Sequence, residues 1–133
     1  MADLLSDLRP GEMWHGEGVL HLPGFADAGA IWAALHPVLK AAPFRHLVTP
    51  GGKTMSVSMT NCGRVGWVSD RAGYRYQAVD PLSERPWPDM PDALRDVAVR
   101  AATAFGAADF APDACLINCY DVGARLTPHQ DRD

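Results

Sequence analysis

Residues 114–133 read "ACLINCYDVGARLTPHQDRD", which is two short extended segments joined by a turn over residues 121–123. In the second segment His129, Asp131 and Asp133 occupy alternate positions, and alternate residues of a strand point to the same face. A strand here would present one imidazole and two carboxylates together, and an imidazole with a carboxylate two positions away can bind a metal ion. A surface histidine beside an aspartate is the alternative interpretation of so short a motif.

The first segment, "ACLINCY", predicts a strand with two different faces. One face carries Leu116, Asn118 and Tyr120, and the other carries Cys115, Ile117 and Cys119. An amide and a phenol inside a sheet need polar partners, because an unpaired buried polar group costs about 1–3 kcal/mol. A carboxylate-bearing ligand beside a metal would satisfy both groups, and so would the backbone or solvent. With a third ligand from a distant strand, the His-x-Asp pair would form the facial triad of a non-haem iron(II) oxygenase.

Length and composition indicate one folded, soluble domain: 133 residues with 47% hydrophobic and 21% charged side chains. No apolar stretch approaches the length of a membrane span. The N-terminal "MADLLSDLRPGEMW" is acidic and interrupted by Pro10 and Gly11, unlike a secretory signal. Three cysteines cannot form a closed set of disulfides, which favours a reducing compartment. We expect a cytoplasmic monomer with no membrane partner.

The charge is unevenly distributed along the chain. The formal net charge is −4, yet residues 44–76 carry five cations against Asp70 alone, a local balance of +4 that leaves −8 for the rest. The five cations are Arg45, Lys53, Arg64, Arg71 and Arg75. A basic segment inside an acidic chain could bind a phosphate backbone. A solvated basic surface is the alternative.

Two helices are predicted. Asp27 is a plausible N-cap for the first, whose apolar residues recur at helical spacing, and Pro37 should kink or shorten it. The second should run from about Pro91 to Phe105 and end at Gly106, which suits the residue after a helix. Its expected apolar stripe is Leu94, Val97, Ala98, Ala101 and Phe105.

The remaining segments favour short strands. Residues 19–22 should form one, closed by Pro23-Gly24, and "KTMSVSMTNCG" alternates apolar and polar residues as a half-buried strand does. "GWVSD", "GYRYQAVD" and "LSERPWPDMP" follow as extended pieces separated by glycine and proline. No linker divides the chain.

Six stretches taken together resemble a known family. They are "APFRHLVTPGG", "TMSVSMTNCG", "GWVSDRAGYRY", "PWPDMP", "RAATAFGAADFAPDACLIN" and "HQDRD". The match runs from about Phe44 to the last residue, and in order and spacing these stretches resemble the N-terminal part of the AlkB-type iron(II)/2-oxoglutarate-dependent dioxygenases that repair alkylated DNA. The resemblance implies an α+β fold, the N-terminal portion of a double-stranded β-helix (jelly-roll) with two helices packed on the sheet and a nucleotide-recognition lid.

The resemblance also implies an organisation of the single domain. Residues 1–17 would be a leader, 44–76 the basic lid segment, and 114–133 the start of the jelly-roll core containing the His-x-Asp motif. The C-terminal part of the family domain is absent from this chain.

The resemblance assigns the cofactor residues. His129 and Asp131 match the first two iron(II) ligands, which are also the catalytic residues. Leu116, Asn118 and Tyr120 match positions that contact 2-oxoglutarate, and dioxygen is the other co-substrate.

A second group of residues would contact the nucleic acid. Trp67 matches the residue that stacks on the flipped damaged base, and Tyr74 matches one that holds the neighbouring phosphate. Thr49 and Met59 match positions near the nucleic acid or the base pocket. Asp133 matches an acidic residue beside the base, placed to accept from an exocyclic amine.

The implied activity is oxidative dealkylation of 1-methyladenine and 3-methylcytosine with release of formaldehyde, succinate and CO2. The expected substrate is single-stranded DNA, with double-stranded DNA and RNA as further candidates. Two alternatives stay open: an oxygenase of the same fold acting on a substrate other than nucleic acid, and an inactive fragment. The second arises because the family's third iron ligand and its 2-oxoglutarate arginines are expected beyond these residues.

Two features depart from the family pattern. The four other histidines (His15, His21, His36 and His46) all precede the motif and match no family ligand. Cys119 stands where the family commonly has arginine, which allows a mixed zinc site of Cys115, Cys119, His129 and Asp131 as a rival hypothesis. Opposite strand faces argue against that site.

Overall fold

The computed structural model describes residues 11–131 of the chain. Its helices are α1 (Ala28–Ala41) and α2 (Asp92–Phe105). Its strands are β1 (Met13–Trp14), β2 (Leu20–His21), β3 (Arg45–Val48), β4 (Thr54–Gly63), β5 (Gly66–Asp70), β6 (Gly73–Gln77), β7 (Val79–Asp80), β8 (Arg85–Pro86) and β9 (Ala114–Cys119). The fold is therefore mixed α and β, as the sequence predicted. The jelly-roll itself stays a prediction.

A three-stranded antiparallel sheet in the order β3-β4-β9 organises the described residues. Met59 in β4 faces Arg45 in β3 and Asn118 in β9, while Cys62 faces Cys115. Because side chains alternate along each strand, the Met59 row and the Cys62 row lie on opposite faces of the sheet. The final six residues of β4 before Gly63 are all buried, so this strand is covered on both faces rather than half-buried as the alternation predicted.

The helices cover the face that carries Cys62. Val38 of α1, Cys62 of β4 and the buried Met90 form one apolar cluster. Partly buried residues packed against that cluster are Leu94, Cys115 and Ile117. The two helices also contact each other.

Both helices begin close to where the sequence predicted, and α2 also ends there. The Asp27 carboxylate accepts a hydrogen bond from the Ala30 amide at 3.2 Å, which satisfies a free donor of the first turn of α1. Gly106 closes α2 with a φ of 108°, the left-handed conformation that favours glycine. Pro37 does not shorten α1, because Val38 beyond it is buried in the core and holds the last turn in place.

The hairpin of β5 and β6 covers the opposite face of the sheet. Strand β5 packs against β3, β4 and β9. Its turn is closed by the Asp70 carboxylate, which accepts from the Ala72 amide at 2.9 Å, and by Gly73 at a φ of 115°. A second apolar cluster of Ala42, Val68 and Trp87 fills the space behind the hairpin.

Three local features differ from the sequence-based expectation. Residues 13–14, inside the segment expected as a leader, form β1 and pair with β2, and Trp14 packs against Phe105 at 5.4 Å between ring centroids. The strand expected over 19–22 is reduced to Leu20–His21. No strand forms over residues 120–131, so the His-x-Asp motif lies in a loop. Neither helix among residues 11–131 is long and apolar enough to cross a bilayer.

Candidate functional site

His129 and Asp131 point toward each other in the loop that follows β9. Nε2 of His129 lies 3.3 Å from Oδ1 of Asp131, and both side chains are exposed. Nδ1 of His129 lies 2.8 Å from the Thr127 carbonyl oxygen. A carbonyl can only accept, so Nδ1 is the nitrogen that donates here, and in the neutral form of the ring Nε2 is then the one with a free lone pair. A backbone carbonyl that fixes the tautomer in this way is typical of metal-binding histidines.

The separation of these two atoms suits a metal ion. Two donors at right angles on an octahedral ion, each with a bond of about 2.1 Å, lie about 3 Å apart. The observed 3.3 Å between nitrogen and oxygen is close to that value. No group of three histidine, cysteine or acidic side chains able to hold a metal occurs within residues 11–131. Within this range His129 and Asp131 are therefore two adjacent side chains that could bind a metal, and the four residues of the rival zinc site do not come together.

Ser56 anchors the loop that carries the pair. Its hydroxyl donates to the Arg125 carbonyl at 3.0 Å and accepts from the Arg125 amide at 3.1 Å. These bonds tie the loop to the exposed start of β4. The expected strand over the motif is absent because, in the part of the chain that the structure describes, no neighbouring strand pairs with it, and Pro128 has no N–H to donate.

The β9 face predicted to bind 2-oxoglutarate is open. Leu116 is 42% exposed, Tyr120 is 55% exposed, and Asn118 between them is exposed as well. The predicted alternation is confirmed, because Cys115 and Ile117 on the other face pack into the core. The open row can thus receive a ligand from outside the sheet.

Met59 and Trp67 lie close to this row. Met59 is the direct partner of Asn118 in the register and is buried. Asn61, the partner of Leu116, donates to the Trp67 carbonyl at 3.0 Å and accepts from the Trp67 amide at 3.0 Å. The structure thus brings Met59, Leu116, Asn118 and the Trp67 backbone to one side of the sheet.

The two predicted base- and phosphate-binding aromatics stack on each other. The ring centroids of Trp67 and Tyr74 are 5.5 Å apart with planes 16° from parallel. Tyr74 is 58% exposed, so one wall of the stack faces solvent. Tyr76, opposite Trp67 in the hairpin register, extends this aromatic face.

Thr49 closes the β3–β4 turn, where its hydroxyl accepts from the Lys53 amide at 3.1 Å. That turn lies next to the hairpin, because the Ser69 hydroxyl donates to the Val48 carbonyl at 2.7 Å. The predicted role of Asp133 falls on a residue outside the described range.

Ion pairs neutralise much of the basic segment. Arg45 pairs with Asp80 at 2.6 Å, Arg75 with Asp70 at 2.9 Å, and Arg64 with Asp113 at 3.7 Å. The hydrogen bonds between Arg75 and Asp70 lower the pKa of the Asp70 carboxyl and raise the pKa of the Arg75 guanidinium. Within residues 11–131, Lys53 and Arg71 are the segment's two cations without an ion pair. The local +4 therefore overstates the charge available to a phosphate backbone, because two of the acids, Asp80 and Asp113, lie outside the segment.

The sequence did not single out three residues that support the site. Asn61 holds the hairpin, Asp80 neutralises Arg45, and Trp87 fills the space under Gly66. Asn61 carried one usable signal: the alternation places it on the Met59 face of a buried strand, where an amide needs a partner. Asp80 ends the two-residue strand β7 and Trp87 follows the two-residue strand β8, and the partners that give them their roles, Arg45 and Gly66, are distant in sequence.

Comparison with known proteins gives consistent matches. The sequence pattern of the 2OG-Fe(II) oxygenase superfamily matches residues 18–133. The chain is 47% identical over 135 residues to the alpha-ketoglutarate-dependent dioxygenase AlkB of Escherichia coli K12, and the match covers 100% of this chain and 62% of that protein. AlkB of Salmonella typhimurium LT2 is also 47% identical with the same coverage. The alpha-ketoglutarate-dependent dioxygenase AlkB homolog of Caulobacter vibrioides NA1000 is 47% identical over 114 residues, which is 84% of this chain and 50% of that protein.

The chain spans less than two thirds of the length of these relatives, at 62% of the first two. Within that span it carries a His-x-Asp pair whose geometry suits a metal ion. On the match over residues 18–133, the chain belongs to the 2OG-Fe(II) oxygenase superfamily.

Proposed function

We propose that the protein to which this chain belongs is an iron(II)- and 2-oxoglutarate-dependent dioxygenase that dealkylates nitrogen atoms of bases in DNA. The observation that carries the proposal is the His129–Asp131 pair, with its 3.3 Å separation and its oriented imidazole. The 47% identity to proteins named AlkB supports the same activity. A cytoplasmic location and a monomeric state remain predictions.

His129 Nε2 and Asp131 Oδ1 would hold the iron(II). When bound, the iron with 2-oxoglutarate and dioxygen supplies the oxidation of the alkyl carbon, and succinate, CO2 and formaldehyde are the products from a methyl group. The Thr127 carbonyl keeps the His129 ring in the tautomer that can coordinate, since it accepts the Nδ1 proton. Without that contact the ring would spend part of its time with the proton on the wrong nitrogen.

The open face of β9 would receive 2-oxoglutarate. The Asn118 amide and the Tyr120 hydroxyl can each donate to a carboxylate oxygen, and a charged acceptor makes such bonds about twice as strong as neutral ones. Leu116 would contact the aliphatic carbons. The exposure of this row supports the assignment only in that a ligand can reach these polar groups from outside the sheet.

The Trp67–Tyr74 pair would recognise the base and its backbone. A target base must leave the helix stack to be reached, which costs least on a single strand. Stacking on an aromatic side chain stabilises the flipped base by about 1–3 kcal/mol.

N-methylation of adenine or cytosine at the pairing edge makes the base cationic, so a carboxylate such as Asp133 would favour 1-methyladenine and 3-methylcytosine over normal bases. Thr49 and Met59 would border the same base pocket. RNA that carries the same methylated bases is a second substrate to test.

The test is formaldehyde release from oligonucleotides that contain one 1-methyladenine or 3-methylcytosine, with iron(II), 2-oxoglutarate and the full-length protein. We expect His129→Ala and Asp131→Ala to abolish release. His36→Ala is the matched control, since His36 lies on α1, where its ring is beside the Trp32 ring instead. Undiminished release by either ligand variant would contradict the assignment.

A second candidate is an oxygenase of the same fold with a substrate other than nucleic acid. The neutralised basic segment favours it, because only two cations there lack an ion pair among the described residues. Trp67→Ala separates the two candidates, with Trp32→Ala on the outside of α1 as control. Loss of base repair in this variant with normal uncoupled 2-oxoglutarate turnover supports DNA dealkylation, whereas uncoupled turnover without base repair in the unchanged protein as well supports the second candidate. Calorimetry of the 133-residue chain with iron(II) and 2-oxoglutarate tests whether this portion binds them by itself.

A further inference from the structure

Cys62 and Cys115 form a cross-strand pair in the core, away from the proposed active site. They are direct partners in the β4–β9 register, on the face covered by the helices. Directly opposed residues of antiparallel strands have Cα atoms about 4.5–5.5 Å apart. A disulfide requires a Cα separation of about 4.4–6.8 Å, so the backbone already satisfies this requirement.

The two opposed thiols shift each other's pKa, which makes them chemically unequal. Interaction with Cys115 and burial both raise the pKa of Cys62, which is fully buried. Interaction with Cys62 lowers the pKa of Cys115 to about 7, against the opposing effect of burial. Cys115 is therefore the more acidic thiol and the better nucleophile, and Cys62 is placed to react with it.

We propose that Cys62 and Cys115 are a peroxide-responsive dithiol that closes to a reversible disulfide between β4 and β9. The Cys115 thiolate attacks one oxygen of hydrogen peroxide, the O–O bond breaks, and the departing hydroxide takes a proton to leave as water. The Cys62 sulfur then attacks the Cys115 sulfenic acid, the S–O bond breaks, and the Cys62 proton leaves with that oxygen as a second water. Two thiols are oxidised and one peroxide is reduced to two waters.

The strand geometry makes the pairing selective. Cys119 lies four residues beyond Cys115 on the same strand, about 13 Å away at a rise of 3.3 Å per residue. Its own partner in the register is Ser58. Cys119 therefore cannot reach Cys62 without unpairing β9, and it serves as an internal control.

The Cys62–Cys115 disulfide would fix the register of β4 and β9 next to Leu116. Leu116 lies on the opposite face of the sheet, where 2-oxoglutarate is proposed to bind. The proposal itself rests on the thiol pair and not on that function.

The test is peptide mapping of the full chain after treatment with hydrogen peroxide and alkylation of the remaining thiols. We expect the thiol count of the denatured protein to fall from three to one. Non-reducing digestion with trypsin should link the peptide 54–64, which contains Cys62, to the peptide 101–125, which contains both other cysteines. Dithiothreitol should restore all three thiols.

Two variants identify the partner. Cys119→Ser should form the same link with the same loss of two thiols, and Cys115→Ser should form none. Oxidation confined to Cys119 in the wild-type chain, or a link that persists in Cys115→Ser, would overturn the proposal. If Cys115→Ser proves unfolded by circular dichroism, fragment-ion sequencing of the linked wild-type peptides decides between Cys115 and Cys119.

Discussion

Asp80 and Arg45 show how one buried charge is stabilised beside the site. Asp80 is 1% exposed, and both of its carboxylate oxygens accept from the Arg45 guanidinium, at 2.6 and 3.0 Å. The Leu82 amide donates a further hydrogen bond to it at 2.8 Å. Arg45 also lies over the Trp87 ring, 5.3 Å from its centroid. The pair therefore joins β3 to β7 and to the buried tryptophan under the hairpin.

Removing Asp80 alone should lower the free energy of unfolding by more than the intact Asp80–Arg45 pair adds to it. Asp80→Ala leaves the largely buried Arg45 guanidinium without its counter-charge, so we expect a loss of about 3–5 kcal/mol in the free energy of unfolding. Urea denaturation followed by circular dichroism measures it. Asp92→Ala is the control, because Asp92 is 94% exposed and pairs with Arg95 only at 3.4 Å. Similar losses in the two variants would show that burial of the pair has no energetic weight.

The same carboxylate predicts a pH dependence. Burial raises the pKa of Asp80, but the hydrogen bonds from Arg45 and Leu82 outweigh it and the net pKa is lowered from 3.8. A carboxylate with a lowered folded pKa stabilises the protein above its unfolded pKa, and this contribution is lost as the pH falls through the folded value. We expect the stability of the wild-type chain to fall below about pH 4 more steeply than that of Asp80→Asn. Parallel curves for the two proteins would contradict the assignment.

Gly66 is required for packing rather than for backbone freedom. A Cβ at this position would lie 2.4 Å from Cε2 of Trp87 and 2.8 Å from the Asn61 Cβ. Both neighbours are buried, so neither can move away cheaply. Gly66→Ala should destabilise the protein by about 1–3 kcal/mol in the same denaturation experiment. Gly18→Ala, which meets no atom within 4 Å, should change the stability little.

At the scale of elements, the β5–β6 hairpin depends on one amide. Asn61 in β4 makes two hydrogen bonds to the Trp67 backbone at the base of the hairpin. In Asn61→Ala the Trp67 N–H and C=O lose their partners in a part-buried place, at a cost of about 1–3 kcal/mol. The hairpin should then open more often, because the lost hydrogen bonds lower the stability of the hairpin itself and not that of the rest of the fold.

Hydrogen exchange measured by mass spectrometry tests this expectation. Peptides that cover residues 66–77 should exchange faster in Asn61→Ala, while those covering α2 should not change. Asn118→Ala is the matched control, since this exposed asparagine lies on the neighbouring strand of the same sheet. Unchanged exchange of the hairpin would mean that its apolar contacts alone hold it in place.

The elements that the sequence predicted well are those specified by their own residues. Gly106 ends α2 because a left-handed residue stops a helix whatever surrounds it, and the Asn118 row of β9 faces outward because alternation is local. The loop over His129 was predicted as a strand and is not one, since a strand needs a partner as well as a pattern. The contact of His129 with Thr127 and the bridge from Asn61 to Trp67 depend on folded geometry, so no spacing rule could indicate them.

For the molecule as a whole, the distribution of paired and unpaired charge decides how nucleic acid could be bound. Arg71 in the hairpin turn lies against Gly52 in the β3–β4 turn, where a Cβ would come within 2.7 Å of Nη2 of the arginine. Lys53 is the next residue of that turn. The two cations of residues 44–76 that have no ion pair within the described range therefore lie at neighbouring turns, on the hairpin side of the molecule. Arg45 is paired with the buried Asp80, and Arg75 is paired with the half-exposed Asp70.

Binding of a single-stranded oligonucleotide should reflect this division. Each phosphate contact adds about 0.7 to the slope of log affinity against log salt concentration for a single strand, because a condensed counterion is released. We expect Lys53→Gln and Arg71→Gln each to lower the slope by about that amount, and the double variant by about twice as much. Fluorescence anisotropy with a labelled oligonucleotide between low and physiological salt measures the slopes. Lys40→Gln is the control, since Lys40 is an exposed cation in the last turn of α1, on the helix side of the sheet. A control that lowers the slope as much as the two turn variants would mean that the strand is attracted by the overall charge and has no defined path along the hairpin.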